Sequence, residues 1–321
     1  MTSELVLAGI HHVTAVTARA AENVRFYTQV LGLRLVKKTV NQDDVSAYHL
    51  FYADVVGSPG TEVTFFDWPH LPPHRPGHGE VARIALRVGG REALDWWAER
   101  LQGYGVLQVE LGRYVDRDAL YFTDFEGQRL ALVDDGGVPG GLPWDRSPVP
   151  APYQIKGLFA VTLVVRSLEP TARVLTDVLG FRLAAEALTP QRTTLFVTGA
   201  CGPGSLVVVE ERPDLPRAQL GAGGVHHVAF RVPDDETHRA WRERIAQAGI
   251  PVTPPIDRFY FRSLYFRELG GVLYELATDG PGFAVDEEIE HLGEKLSLPP
   301  FLEPRRAEIE ANLRPLEPVT R

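Results

Sequence analysis

The sequence predicts an α+β protein made of four βαβββ modules, and two observations carry that prediction. The segment VLGLRL at Val30–Leu35 returns as VLGFRL at Val178–Leu183. Laid out from these anchors, the chain reads four times over as a strand, a helix and three strands, with Val, Leu, Phe and Tyr in the strands and turn residues between them.

Module one opens with the strand GIHHVTAV and continues into a helix near residues 21–31, whose apolar spacing follows the 3.6-residue period. The glycine of VLG, in this copy and in module three, stands where a helix ends and the chain turns into a strand. YHLFYAD and EVTFFDW complete the module. Module two starts at VARIALRV, has the helix REALDWWAERLQGYG and closes with ALYFTDF and RLALVDD. Module three starts at GLFAVTLVV and closes with TTLFVTG and SLVVVEE. Module four starts at HHVAFRV, has the helix ETHRAWRERIAQAGI and closes with SLYFREL and VLYELAT.

A Gly- and Pro-rich stretch, GGVPGGLPWDRSPVPAPY, separates modules two and three and reads as a linker. The expected organisation is an N-terminal module pair (1–137), a linker (138–153), a C-terminal module pair (154–281) and a helical tail (282–321). The tail carries no repeat, shows a Pro-Pro stop between two helical segments, and is expected to pack across a domain surface.

Composition narrows the function. The chain has 321 residues, 44% hydrophobic and 23% charged, with a net charge of −9 and no basic cluster. That balance argues against nucleic acid or anionic membrane as a partner. No apolar run approaches the length of about 18 residues that a membrane span needs, and the N-terminus lacks the basic region of a signal peptide. The single cysteine, Cys201, excludes an internal disulfide and fits a reducing cytoplasm. A small molecule or another protein remains as partner.

The repeats also serve as internal controls. The first strands of modules one and four carry GIHHVT and GVHHVA. At the position of His12, the four modules carry His12, Arg83, Ala160 and His227; at that of His11, they carry His11, Ala82, Phe159 and His226. The fold therefore does not require histidine there. In the last strands, Glu275 stands mid-strand in GVLYEL, where the other modules carry Thr64, Ala131 and Val208. A carboxylate among large apolar neighbours is costly unless it is paired or bound to a metal. Two histidines and one carboxylate form the set used by non-haem Fe(II) enzymes. With neutral imidazoles, that set leaves about one positive charge on Fe(II), which favours a phenolate.

Successive strand side chains point to opposite faces, so one member of each doublet faces a given cavity. Thr14 shares a face with His12 and Ala229 with His227, leaving room for a ligand. Parity alone leaves the register with His11 and His226 as ligands equally open. The stretch DWPHLPPHRPGHGE, with His70, His74 and His78, reads as a polar extended loop; His49 could face the cavity from its strand, with packing the favoured reading.

Together, the modules and the HHV, HHV and YEL motifs resemble the vicinal oxygen chelate superfamily, the glyoxalase/bleomycin resistance/extradiol dioxygenase fold. More narrowly, the chain resembles its para-hydroquinone ring-cleaving dioxygenases, and the tail segment GFAVDEEIEHLGEKLSLPP is part of the likeness. The resemblance implies two domains of mixed-sheet half-barrels. It also implies an iron site held by His12, His227 and Glu275, the second histidine of each doublet and the mid-strand glutamate. Around the substrate it implies His11, Thr14, His226, Arg258 and Tyr265, with Arg262 a competitor for Arg258. A three-residue loop centred on Gly270 would set Tyr265 opposite Glu275.

The expected activity is a cytoplasmic dioxygenase that opens a hydroquinone-type aromatic with O2, using Fe(II), with Mn(II) as the alternative metal. Rival expectations are a glyoxalase-type lyase or isomerase, which calls for a fourth protein ligand, a catechol extradiol dioxygenase, and a binding module without a metal triad. Oligomeric state stays open, a homodimer being common in this fold.

Overall fold

The computed structural model describes residues 5–188 and 192–316; the last residues of the expected tail, 317–321, lie outside them. Module one comprises β1 (Ile10–Thr17), α1 (Ala20–Arg25) running into a π-turn (Phe26–Val30), β2 (Arg34–Asn41), β3 (Asp44–Ala53) and β4 (Glu62–Asp67). Module two comprises β5 (Glu80–Val88), α2 (Arg91–Gly103), β6 (Glu110–Tyr114), β7 (Arg117–Thr123) and β8 (Arg129–Asp134). Module three comprises β9 (Leu158–Val165), α3 (Leu168–Arg173) with its own π-turn (Val174–Val178), β10 (Arg182–Ala187), β11 (Thr193–Val197) and β12 (Leu206–Glu211). Module four comprises β13 (Val225–Val232), α4 (Asp235–Gln247), β14 (Ile256–Asp257), β15 (Arg262–Arg267) and β16 (Leu273–Thr278).

Local chemistry explains the element ends. Gly32 and Gly180 take φ of +71° and +72°, so each VLG motif ends its helix on the left-handed residue that glycine supplies without strain. The Asp234 side chain accepts the Thr237 N–H and caps α4. The longer helices α2 and α4 each press one tryptophan, Trp97 and Trp241, fully into the core. Burying a side chain of that size contributes roughly 2–3 kcal/mol of transfer free energy.

The strands form two eight-stranded sheets. Sheet one has the order β14-β15-β16-β13-β1-β4-β3-β2, and sheet two the order β10-β11-β12-β9-β5-β8-β7-β6. At the centre of each, the first strands of two modules pair antiparallel, β1 with β13 and β5 with β9. Each first strand also pairs in parallel with the last strand of its own module. These are the mixed half-barrels the resemblance implied.

Sheets and sequence halves do not coincide. Sheet one joins modules one and four, and sheet two joins modules two and three. The linker holds modules two and three next to each other, and neighbours in sequence tend to pair. Module one is left to close with module four. A site between β1 and β13 therefore lies within one sheet rather than between two separately folded halves.

The segments before β5 and before β13 also zip together, with Pro73 bridging Ala222, Arg75 bridging Gln219 and His78 bridging Arg217. The loop with His70, His74 and His78 is thus a clasp between the sheets. His74 makes a close contact from Nε2 to the buried Glu80 carboxylate.

The tail crosses the outer side of β2. Its first helical segment is a pair of 3-10 turns, Phe283–Val285 and Ile289–His291, and α5 (Arg306–Asn312) follows the Pro-Pro stop. Lys37 of β2 is fully buried, with Nζ 2.6 Å from Asp286 Oδ1 and in close contact with Glu287 Oε2. Lys38 O accepts the Ser297 N–H at 2.9 Å.

Candidate metal centre

The site starts from an irregularity in the β1–β13 pairing. His12 stands opposite Ala229 and Thr14 opposite His227, and the register skips one residue at His11 and again at His226. Each doublet therefore sits on a β-bulge, where strict alternation of side chains fails. Parity had allowed one histidine of each pair to face a given cavity. Here His226 lines the same cavity as His12 and His227, whereas His11 turns away and places Nε2 3.2 Å from the Thr278 carbonyl. The β5–β9 pairing skips at Ala82 and Phe159, so the bulge belongs to the module and the histidines to the site.

Three atoms converge. His12 Nε2 and His227 Nε2 lie 3.3 Å apart, and Glu275 Oε2 lies 3.3 Å from the first and 2.8 Å from the second. All three side chains are buried, Glu275 completely. Apart from the two imidazole nitrogens beside it, Glu275 Oε2 has no hydrogen-bond partner among the described residues, an exceptional state for a carboxylate oxygen at full burial. Ligand atoms about 2.1 Å from one ion would be spaced about 3 Å apart, as these are. The donor set of two imidazoles and a carboxylate therefore fits a divalent metal.

Each ligand is held from behind. His12 Nδ1 is 2.9 Å from His11 Nδ1, and His227 Nδ1 is 2.7 Å from His226 Nδ1. With Nδ1 engaged on the neighbouring ring, Nε2 is the free ligand atom of both His12 and His227. The Ser263 hydroxyl donates to Glu275 Oε1 at 2.6 Å, which turns Oε2 toward the imidazoles.

Electrostatics agree with metal-ready protonation states. Burial, and then the His227 neighbour, hold His226 down to about 3. Burial lowers His227 as well, and burial followed by the His12 neighbour lowers His11. Burial opposes ionisation of Glu275, but the two imidazoles outweigh it and hold the carboxyl well below its usual range. An ionised carboxylate is the form a metal binds.

The triad borders a cavity of about 290 Å³. Phe51, Phe66 and Phe261 form much of its wall, and Phe261 packs against His12 with ring centroids 5.3 Å apart. Tyr265 stands opposite Glu275 in the β15–β16 register. Glu268 N donates to Val272 O, so the loop between them has the three-residue tip centred on Gly270 that this pairing requires. Burial, and then Glu275, raise the Tyr265 phenol above its ordinary range, so it keeps its proton. Arg258 lies over the Tyr265 ring, 5.6 Å from its centroid, and forms a two-pronged pair with Asp43 across the cavity mouth at 3.2 and 2.7 Å. Arg262 instead pairs with Asp235 and does not line the cavity.

Of the residues singled out in the sequence, His12, His226, His227, Arg258 and Tyr265 line the cavity, with Glu275 at the triad. His11 and Thr14 stand behind it, Thr14 Oγ1 lying 2.8 Å from Thr64 Oγ1. Sequence reasoning missed Ser263, Asp43 and Glu62, and for His49 it favoured packing over the cavity-facing alternative that the structure shows. Glu62 is almost fully buried in β4 beside His12, with Oε2 3.9 Å from His11 Nδ1 and without a hydrogen-bond partner. Burial, and then Asp54, raise its carboxyl well above the usual range. Among the described residues, the groups able to gather three ligand atoms within 4.8 Å are His12, His227, Glu275 and His11, His12, Glu62. The His70, His74 and His78 loop forms none.

Paired βαβββ modules with a 2-His-1-carboxylate set at the central strand pair define a metal-dependent protein of the half-barrel class. The family profile described as Glyoxalase/Bleomycin resistance protein/Dioxygenase superfamily matches residues 9–132 and 157–276, and the chain belongs to that superfamily. It is 47% identical over 312 residues to a Bacillus subtilis protein provisionally named ring-cleaving dioxygenase MhqA, covering 96% of this chain and 99% of that one. It is 31% identical to the chlorohydroquinone/hydroquinone 1,2-dioxygenase of Sphingobium indicum, covering 92% of each. A crystal structure from Bacillus subtilis, provisionally described as a dioxygenase, superposes with a TM-score of 0.91 at 37% identity over 98% of this chain and 99% of that one.

Proposed function

We propose that the protein is an Fe(II)-dependent ring-cleaving dioxygenase that opens a hydroquinone-type aromatic with O2. The observation that carries this reading is the triad of His12, His227 and Glu275 beside a small aromatic-walled cavity. Its likeness to the Sphingobium enzyme over nearly the whole chain supports the substrate class.

A cavity of about 290 Å³ is small among ligand sites and suits a single ring. Bound at the triad, Fe(II) supplies a Lewis acid that favours ionisation of a ring hydroxyl and a redox centre for reaction with O2. The chain's own groups do the rest. His11 and His226 fix the ligand imidazoles through their Nδ1 atoms. Phe51, Phe66 and Phe261 hold the ring and keep water from it. Tyr265, protonated and close to Arg258, offers an O–H to the developing negative charge, and Arg258 supplies a fixed positive charge. A soluble, cytoplasmic enzyme fits the composition, and no helix among the described residues is long and apolar enough to cross a membrane.

The lyase or isomerase alternative calls for a fourth protein ligand. Thr64 occupies the position of module one that corresponds to Glu275, and its hydroxyl is engaged by Thr14 and His49.

The test is anaerobic Fe(II) loading followed by oxygen uptake with hydroquinone, methylhydroquinone and catechol. Uptake with the para-diols in preference to catechol is expected. Fully iron-loaded protein that consumes oxygen with none of the three would overturn the proposal.

A further inference from the structure

Sheet one has an internal two-fold relation centred on β1 and β13. Exchanging these strands exchanges His12 with His227, because His12 faces Ala229 while Thr14 faces His227. Thr14 pairs with Thr64 on β4, and Ala229 pairs with Glu275 on β16, so the same exchange carries Glu275 onto Thr64. The histidines obey the relation and the carboxylate breaks it. Thr64 cannot act as the second carboxylate, and its hydroxyl lies 2.8 Å from Thr14 Oγ1 and 2.9 Å from His49 Nε2.

The relation extends one step outward. In β15–β16, Tyr265 faces Glu275; in β3–β4, Phe51 faces Thr64. Ser263, two residues before Tyr265, therefore corresponds to His49, two residues before Phe51. Ser263 hydrogen-bonds the carboxylate on its side, and His49 hydrogen-bonds Thr64 on the other. The His49 ring is packed between Phe51 and Phe66, with centroids 4.0 and 4.4 Å away. All three rings line the cavity. With Nε2 at Thr64, the nitrogen left to meet a ligand is Nδ1.

We infer that the side of the site marked by Thr64 is where an exogenous group enters, and that His49 Nδ1 is the hydrogen-bond contact for the reacting ring hydroxyl. The inference rests on the ring-cleaving reading and adds a specificity-determining residue to it. A hydroxyl both donates and accepts, so it matches Nδ1 in either tautomer, whereas a methyl group in its place matches neither. Thr64 is a positioning residue that fixes the ring through Nε2.

The experiment compares hydroquinone with 1,4-dimethylbenzene by calorimetric titration of metal-loaded protein held anaerobic. His49→Phe keeps ring volume and removes the hydrogen bond. It is expected to weaken hydroquinone about ten-fold, to leave 1,4-dimethylbenzene unchanged, and to retain the metal content of the wild type. His49→Asn, which keeps an amide near the Nδ1 position, should recover part of the loss. Thr64→Val should weaken hydroquinone about three-fold, while Thr64→Ser matches the wild type. Equal weakening of both compounds, or none, in His49→Phe overturns the assignment and leaves His49 a packing residue. Loss of metal in that variant overturns it too, by making His49 a ligand. Wild-type protein that neither binds hydroquinone nor consumes oxygen with it would instead remove the ring-cleaving reading on which the assignment depends.

Discussion

Sheet one and sheet two are built alike and differ in what stands at their centres. Both pair the first strands of two modules antiparallel, with bulges at His11 and His226 in one and at Ala82 and Phe159 in the other. Both set the same residue of each last strand beside its first strand: Thr14 with Thr64, Ala85 with Ala131, Thr162 with Val208 and Ala229 with Glu275. In sheet two, Ala85, Ala131, Phe159, Ala160 and Val208 pack as one apolar cluster, and Tyr114 closes it through a 2.8 Å hydrogen bond to Thr162. Sheet one places two imidazoles and a carboxylate at the corresponding points and leaves a cavity beside them. The backbone thus supplies the same positions twice, and side chains decide whether they become a core or a site. The outer strands diverge in the same way. The tail covers β2, whereas its module-three counterpart β10 is exposed along its whole length.

Removing the ligands should break the comparison most completely. His12→Ala, His227→Ala and Glu275→Ala should each lose bound metal and lower oxygen uptake by about a hundred-fold or more, because metal chemistry contributes several kcal/mol. The circular dichroism spectrum should be retained, since sheet two folds without these groups. Arg83→Ala, at the His12 position of sheet two, should change neither metal content nor uptake. Full activity in any ligand variant would refute the triad.

The tail contact follows in size. Lys37→Met leaves Asp286 and Glu287 without the buried ammonium they share. Losing one partner of such a cluster costs about 3–5 kcal/mol, a fall of roughly 10 °C in Tm by thermal unfolding. On the exposed β10, Glu186 pairs with Arg192 at the surface, and Glu186→Gln should leave Tm nearly unchanged. Similar shifts from both would mean that the tail does not anchor sheet one.

Much of this was legible in the sequence because the repeats gave each candidate three controls. His12, His227 and Glu275 stood out against Arg83, Ala160, Thr64, Ala131 and Val208, and strand register later placed those residues at matching points. The same comparison could have found Glu62. Its counterpart in module three is Leu206, and extending the registers by one residue gives Arg129 and Leu273. What could not be read was which modules share a sheet, since each first strand offers a similar apolar edge and the choice is made by long-range closure. That choice puts Asp43 of module one against Arg258 of module four, and no local pattern announces such a pair. Ser263 was hidden for another reason. A small hydroxyl in the strand RSLYFR looks like an ordinary strand residue until its partner is known.

Glu62 gives the comparison a pH dependence. Its carboxyl sits in sheet one with its folded-state pKa raised well above the usual range, chiefly by burial. A raised carboxyl binds its proton more tightly in the folded state, so its contribution to stability is greatest at low pH and is lost as pH rises from the unfolded pKa through the folded one. Glu62→Gln removes that loss and keeps the shape. In metal-free protein, the variant should gain on the wild type between pH 5 and pH 7, with a limiting slope of about 1.4 kcal/mol per pH unit. Thermal melts across that range check it, and a gap that stays constant would show that the carboxyl is already ionised.

The smallest expected effect separates position from chemistry. Ser263 is buried and touches no ligand atom that faces the imidazoles; it donates only to the far oxygen of Glu275. If sheet one differs from sheet two merely by carrying ligands, then Ser263→Ala should leave metal affinity as it is. If the ligands must also be aimed, the variant frees the carboxylate to rotate and raises the metal dissociation constant about ten-fold, in keeping with other residues that orient a ligand. Ser263→Thr, which retains the hydroxyl, should restore most of the affinity. Competition against a chelator of known affinity reads the difference without any turnover. An unchanged constant in Ser263→Ala would mean that the β15–β16 register alone aims Glu275, leaving its hydrogen bond a consequence of the site rather than a part of it.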